Sequence, residues 1–139
     1  MVLGNKIKSK ISGLEGIAIA KSSSLSGSVQ FCIKRMVLNE KSEELKSSWV
    51  DIQELVFSDK GITEEHQIEH QKINFNLGDT VTHFNGFTGV AIEVIKYLNG
   101  CTSIGVMSKT SDGNKMPEIE YISLQYLTKI DAFLADAPD

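Results

Sequence analysis

The sequence predicts an all-β protein made of two tandem copies of one five-stranded unit, joined by a short, partly helical linker. Two observations predict it. The first is an internal repeat: Leu3, Gly13, Gly16, Ala18, Ile19, Leu25 and Gly27 recur as Leu77, Gly86, Gly89, Ala91, Ile92, Leu98 and Gly100. Later, Trp49-Val50-Asp51-Ile52-Gln53-Glu54-Leu55 recurs as Tyr121-Ile122-Ser123-Leu124-Gln125-Tyr126-Leu127. Glycines and apolar positions persist while charges change, as expected of one fold carried twice. The second observation is short alternation of polar and apolar residues between glycine- and serine-rich breaks, the period of half-buried strands. The repeat places the copies at residues 1–57 and 77–131, the linker at 58–76 and a tail at 132–139.

Each element has a local reason. Residues 6–11 alternate and read as a strand; 12–16 hold Gly13 and Gly16 and read as a turn. Residues 17–21 are a second strand with alanines on alternate positions, and 22–27 are a polar connection. Residues 28–34 set Val29, Phe31 and Ile33 on one face and Gln30, Cys32 and Lys34 on the other. Residues 39–48 are polar and read as an exposed loop. Trp49-Val50-Asp51 is a fourth strand, 52–55 a single helical turn, and Val56-Phe57 a closing fifth strand. Five short strands with a helical turn before the last describe a small SH3-like barrel. In the second copy Val90, Ile92 and Val94 are expected on one face, Ile104 and Val106 replace Phe31 and Ile33, and 110–115 carry a tight-turn signal. Thr63 before Glu64 and Glu65 is a capping signal for a linker helix to about Gln71. The tail is expected to add one helical turn from Asp131.

Composition narrows the function classes. The 139 residues are 41% hydrophobic and 23% charged, an ordinary globular balance. No apolar run reaches the roughly 18 residues of a membrane span, and the N-terminus lacks the apolar core of a secretory signal. Cys32 and Cys101 occupy non-equivalent positions and read as free thiols of a reducing compartment. A unit of this size lies near the lower limit for a self-sufficient core. The copies are therefore expected to bury faces against each other and against a second chain, as a homodimer or larger assembly. Net charge is −4, and it is uneven: the first copy is net positive, the linker and second copy net negative. No part has the basic footprint of a nucleic-acid module, so nucleic acid is not an expected partner. An anionic small molecule suits the first copy better.

No nucleophile–base pair, metal-ligand set or cofactor motif is present, so the expectation is a binding protein, not an enzyme, with no cofactor. His66 and His70 would share a helix face but lack a third ligand, and read as exposed linker histidines. His83 reads as a rim residue and Cys101 as a small buried thiol. Glu118 and Glu120 read as one solvated strand face, and the Gly-x-x-Gly pairs as structural turns. The candidates for ligand binding are aromatic and basic. Trp49, the single tryptophan, can be core filler or a stacking platform. Tyr97 with Lys96 beside it can stack a base and neutralise a phosphate. Arg35, the single arginine, stands beside Lys34 at a strand end, where its fork suits phosphate or the acidic residues Glu40, Glu43 and Glu44. The expected ligand site is thus Lys34, Arg35, Trp49, Lys96 and Tyr97, where a basic, aromatic end of one copy meets its sister or a symmetry mate.

Two resemblances add to this. The Leu-Gly-x-x-Ile/Val opening and Gly-x-x-Gly-x-Ala turn of each copy resemble KOW and Tudor-type modules over a short stretch. More of the second copy is similar to a group of small phage-encoded proteins. The shared segments are Gly86-Phe87-Thr88-Gly89-Val90-Ala91, Tyr97-Leu98-Asn99-Gly100-Cys101, Asp112-Gly113-Asn114-Lys115-Met116-Pro117-Glu118 and Gln125-Tyr126-Leu127. The first copy lacks the Tyr-Leu-x-Gly-Cys segment but keeps Trp49-Val50-Asp51, so a site needing every element would be composite. The resemblance implies a phage or prophage protein acting in the bacterial host cytoplasm. By analogy, it implies a sponge that sequesters a cyclic nucleotide or ADP-ribose-type messenger of anti-phage defence. A protein-interaction or structural role is the alternative, as is a KOW/Tudor-like nucleic-acid module.

Overall fold

A computed structural model of the chain describes residues 1–35, 47–63, 69–109 and 116–130. Among them are ten strands: β1 (Lys6–Ser9), β2 (Glu15–Ser24), β3 (Val29–Lys34), β4 (Ser47–Asp51), β5 (Leu55–Asp59), β6 (Thr80–His83), β7 (Thr88–Tyr97), β8 (Thr102–Ser108), β9 (Ile119–Ser123) and β10 (Leu127–Lys129). Single 3₁₀ turns, Ile52–Glu54 and Leu124–Tyr126, precede β5 and β10. All pairings are antiparallel and join the strands into one open sheet. No helix among the described residues is long and apolar enough to cross a membrane.

The repeat is carried into the pairing. β1 pairs with β2 and β5, β2 with β3, and β3 with β4. In the second copy β6 pairs with β7 and β10, β7 with β8, and β8 with β9. Ile7, Ala18, Phe31, Ile33 and Leu55 form one core. Val81, Ala91, Ile104, Val106, Ile122 and Leu124 form the other, and Ile73, Phe75 and Leu77 of the linker pack against it. The expected equivalence of Ile104 and Val106 with Phe31 and Ile33 holds, and all four are fully buried. Gly27 and Gly100 sit in the matching turns before β3 and β8 at φ of 94°, a conformation that a side chain disfavours.

A β-bulge in each long strand corrects one facial expectation. The register of β2 shifts between Ala18 and Ala20, and that of β7 between Ala91 and Glu93. The extra residue, Ile19 or Ile92, breaks the alternation. Val90, Ile92 and Val94 therefore do not share a face; the core takes Ala91 and then Val94.

The bulges also build the junction. β2 and β7 pair from Ala20↔Tyr97 through Ser22↔Ile95 to Ser24↔Glu93. Ser22 and Ile95 are repeat-equivalent, so they lie on an internal two-fold axis. Contacts recur on both sides of it. Leu25 N–H donates to the bulge carbonyl of Ile92 and Leu98 N–H to that of Ile19, each at 2.7 Å. The Leu25 side chain lies against Gly78 and that of Leu98 against Gly4.

Several boundaries differ from expectation. Ser22–Ser24 are strand, not connection: Ser22 and Ser23 pair with Gln30 and Val29 of β3 on one side, and all three pair with β7 of the sister copy on the other. Ser47 and Ser48 belong to β4, paired with Lys34 and Ile33; the rest of the expected loop, 39–46, lies outside the described residues. β1 stops at Ser9, whose hydroxyl accepts from Ser12 and Ile11 N–H at 3.1 and 3.3 Å and starts the turn early. The linker helix falls largely on residues 64–68, outside the described residues. At its described ends, 61–63 form a turn and 69–71 have no regular structure. The 110–115 turn and the helical turn from Asp131 also lie outside them.

Candidate functional site

Directly opposed residues of an antiparallel sheet point to the same face. One row across the junction reads Phe31 (β3), Lys21 (β2), Lys96 (β7) and Thr102 (β8). This is the inner face, which also carries both cores. Lys21 and Lys96 thus stand side by side, with Cβ atoms about 4.5–5.5 Å apart. Like charges so placed repel. Among the described residues neither lysine forms an ion pair. The Lys21 ammonium lies 5.8 Å from the centre of the Phe31 ring. Thr102 is buried, and its hydroxyl has no hydrogen-bond partner among the described residues.

A cavity of about 330 Å³ opens at this pair. Met1, Val2 and Leu3 supply an apolar wall; Lys21, Lys96, Thr63 and His70 supply the polar groups. Among the described residues no carboxylate lines it. His70 is half-buried, and its Nε2 lies 2.8 Å from the Tyr97 carbonyl oxygen. A carbonyl only accepts, so Nε2 carries the proton and donates. That bond fixes the ring against β7 and corrects the expectation of an exposed linker histidine. His66 lies outside the described residues, and no group of metal-binding side chains occurs among them.

The five expected residues are divided by the sheet. Lys96 lines the cavity. Tyr97, the next residue, points to the outer face, where it packs with Ile19 on a small cluster of Ala20, Cys32 and Ile95. Trp49 is on that outer face too, opposite Cys32 on β3, with 42% of its surface exposed. Trp49, Cys32, Ala20 and Tyr97 occupy one row, so three strand spacings, about 14 Å, separate the two rings. Lys34 is exposed and shares Trp49's face, one position along. Arg35 is exposed just beyond β3; its expected acidic partners lie outside the described residues. The structure brings Lys34, Trp49 and Tyr97 to one face and separates them from Lys96.

Lys21 is the residue that sequence reasoning missed, and His70 was considered only with His66 as a metal pair. Lys21 carried one signal, the lone charge ending the run Ile17-Ala18-Ile19-Ala20. Nothing in the sequence linked His70 to β7, because its partner is a backbone carbonyl 27 residues away.

The remaining candidates read as follows. Burial pushes the Cys32 thiol up, which keeps it protonated and unreactive. Cys101 is exposed, correcting the buried-thiol expectation, because it leaves the Asn99-Gly100 turn; its N–H donates to Asn99 Oδ1 at 2.9 Å. His83 is half-buried, with Nδ1 lacking a partner among the described residues. Its ring lies tilted against that of Phe84, centres 4.3 Å apart; Phe84 is 78% exposed and meets Tyr126 at 5.6 Å. On the outer face Tyr121 lies across Gly105, where an added Cβ would be 3.1 Å from its ring. Burial and the neighbouring Glu93 carboxylate both raise the Tyr121 phenol above its ordinary range.

Comparison of the chain with protein-family models, curated proteins and solved structures finds no match.

Proposed function

We propose that this chain is a non-enzymatic binding protein that captures one small anionic nucleotide in the cavity between its two copies. The observation that carries this reading is the Lys21–Lys96 pair, opposed in register, with no carboxylate among the described residues of the cavity, and joined by His70 at its wall. Two repelling ammonium groups gain most from an anion between them. A pocket with an apolar wall and a few convergent polar groups suits an organic ligand of modest size. In the same reading each copy is a small SH3-like barrel. The strand order β5-β1-β2-β3-β4 with a 3₁₀ turn before β5, repeated in the second copy, supports that assignment. The resemblance to small phage-encoded proteins supports a sponge role, with a defence messenger sequestered in the bacterial host cytoplasm.

Calorimetry of the purified protein against cyclic dinucleotides, cyclic trinucleotides and ADP-ribose derivatives tests it. The expected result is one ligand bound more tightly than about 10 μM, roughly −7 kcal/mol, and recovered chemically intact after heat denaturation. Lys21→Gln and Lys96→Gln should each weaken binding about tenfold or more, since a charged hydrogen bond is worth about 1.5–3 kcal/mol. A second reading, a protein-interaction module, is favoured by the exposed Phe84–Tyr126 ring pair. It takes precedence if no nucleotide binds.

A further inference from the structure

We infer that the ligand carries two negative charges on one phosphate or on adjacent phosphates, a phosphomonoester or a pyrophosphate, and that each chain binds a single copy. This rests on the proposed capture of a nucleotide in the inter-copy cavity and narrows it.

The charge class follows from the spacing. Lys21 and Lys96 are directly opposed on neighbouring strands, so both flexible stems reach the same point beyond the sheet. Two cations converging on one point match two charges held close together. A phosphomonoester has a second pKa near 6 and approaches a charge of −2 at neutral pH. A pyrophosphate bridge holds one charge on each of two linked phosphates. A cyclic phosphodiester holds one charge per phosphate, and in a cyclic dinucleotide a ribose separates the phosphates. One lysine would then face an uncharged part of the ligand. The Thr102 hydroxyl, unpartnered among the described residues and next to Lys96 in the same row, adds an orphan donor on the same face.

The stoichiometry follows from the axis. The two-fold through Ser22 and Ile95 maps Lys21 to Val94 and Lys96 to Ser23. Those two residues are themselves opposed on β2 and β7. The backbone thus repeats the arrangement on the other side of the axis, but the side chains there are an aliphatic group and a hydroxyl. Val94 packs against the second core. His70 comes from the linker, which occurs once in the chain. Only one of the two symmetric positions is cationic.

The test uses the full chain and four probes: inorganic pyrophosphate, AMP, ADP-ribose and cyclic AMP, at matched ionic strength. Pyrophosphate should raise the melting temperature above that in equivalent chloride. AMP or ADP-ribose should bind at one site per chain, at least tenfold more tightly than cyclic AMP; which of the two binds distinguishes the monoester from the pyrophosphate. Lys21→Gln should abolish the pyrophosphate-induced shift while raising the melting temperature of the free protein, a sign that it remains folded. Lys34→Gln, on the outer face, should leave the shift intact. Cyclic AMP binding as tightly as AMP and ADP-ribose would overturn the charge assignment and leave nucleotide capture standing, as two sites per chain would overturn the stoichiometry. Absence of binding by all four probes and by the cyclic dinucleotides would overturn both.

Discussion

On one side of the internal two-fold axis β2 and β7 set Lys21 against Lys96; on the other, the same strands set Ser23 against Val94. The backbone is alike on both sides. Each has a bulge carbonyl accepting from the sister copy's leucine, and that leucine lies against a glycine. The side chains differ in charge, size and destination: Val94 joins a core, while Lys21 and Lys96 line a cavity. The contrast separates two tasks. Backbone pairing and small residues hold the copies together, and they need no particular charge. The proposed ligand site falls where the copies have diverged, because there a substitution is free of the pairing constraint.

The strongest way to break the comparison is to empty one core. Phe31 and its counterpart Ile104 are fully buried. Phe31→Ala should cost about 3–5 kcal/mol and Ile104→Ala about 2–5 kcal/mol. Because β2–β7 pairing joins the copies, each substitution should shift a single urea transition. Trp49 fluorescence reports the first copy and circular dichroism the whole. Two separated transitions would show that the copies unfold independently.

A smaller effect tests whether the two long strands are equivalent. A Cβ added at Gly16 would lie 2.4 Å from the Lys34 carbonyl oxygen, and one at Gly89 would lie 2.3 Å from that of Met107. Backbone cannot swing away as a side chain can, so each glycine-to-alanine change should cost about 1–3 kcal/mol. Near-equal losses by chemical denaturation are expected. A difference beyond about 1 kcal/mol, comparable to the lower end of that cost, would mean that one copy tolerates the strain.

The smallest effect distinguishes the copies by pH. Asn5 Oδ1 accepts from Val2 N–H at 2.7 Å, and Asp79 Oδ2 accepts from Asn76 N–H at 2.8 Å in the equivalent turn. The Asn76 N–H bond, aided by Lys129 at 3.5 Å, holds the Asp79 carboxyl below its ordinary range. A depressed folded pKa means stability that is present above the unfolded pKa, near 3.9, and lost as pH falls through the folded one. Relative to its intrinsic rate, amide exchange at Asn76 should therefore accelerate below about pH 4, while that at Val2 stays unchanged. Asp79→Asn should remove the difference; acceleration at both turns would show that global acid unfolding is responsible.

Much of the fold was legible. The repeat, the alternation around Phe31, Ile33, Ile104 and Val106, and the tight turn before the last strand are short-range signals. The site was only half legible. Lys96 was marked by type, as was Tyr97, but consecutive strand residues point to opposite faces, so the sheet separates them. The bulges at Ile19 and Ile92 were hidden because a single extra residue leaves no compositional trace and yet reverses every later facing.

By itself the sequence determined the local elements and their duplication, since period-two patterning and glycine turns act within a few residues. Only the tertiary structure decided that Ser22–Ser24 are strand, that Lys21 meets Lys96, and that His70 closes on Tyr97. Short polar serines do not mark a strand by themselves; these became strand because β3 on one side and the open edge of β7 on the other offered hydrogen bonds. The cationic pair is a consequence of that register. Opposition of two strands from different copies is a long-range choice, set by which edges remain unpaired once each core has formed.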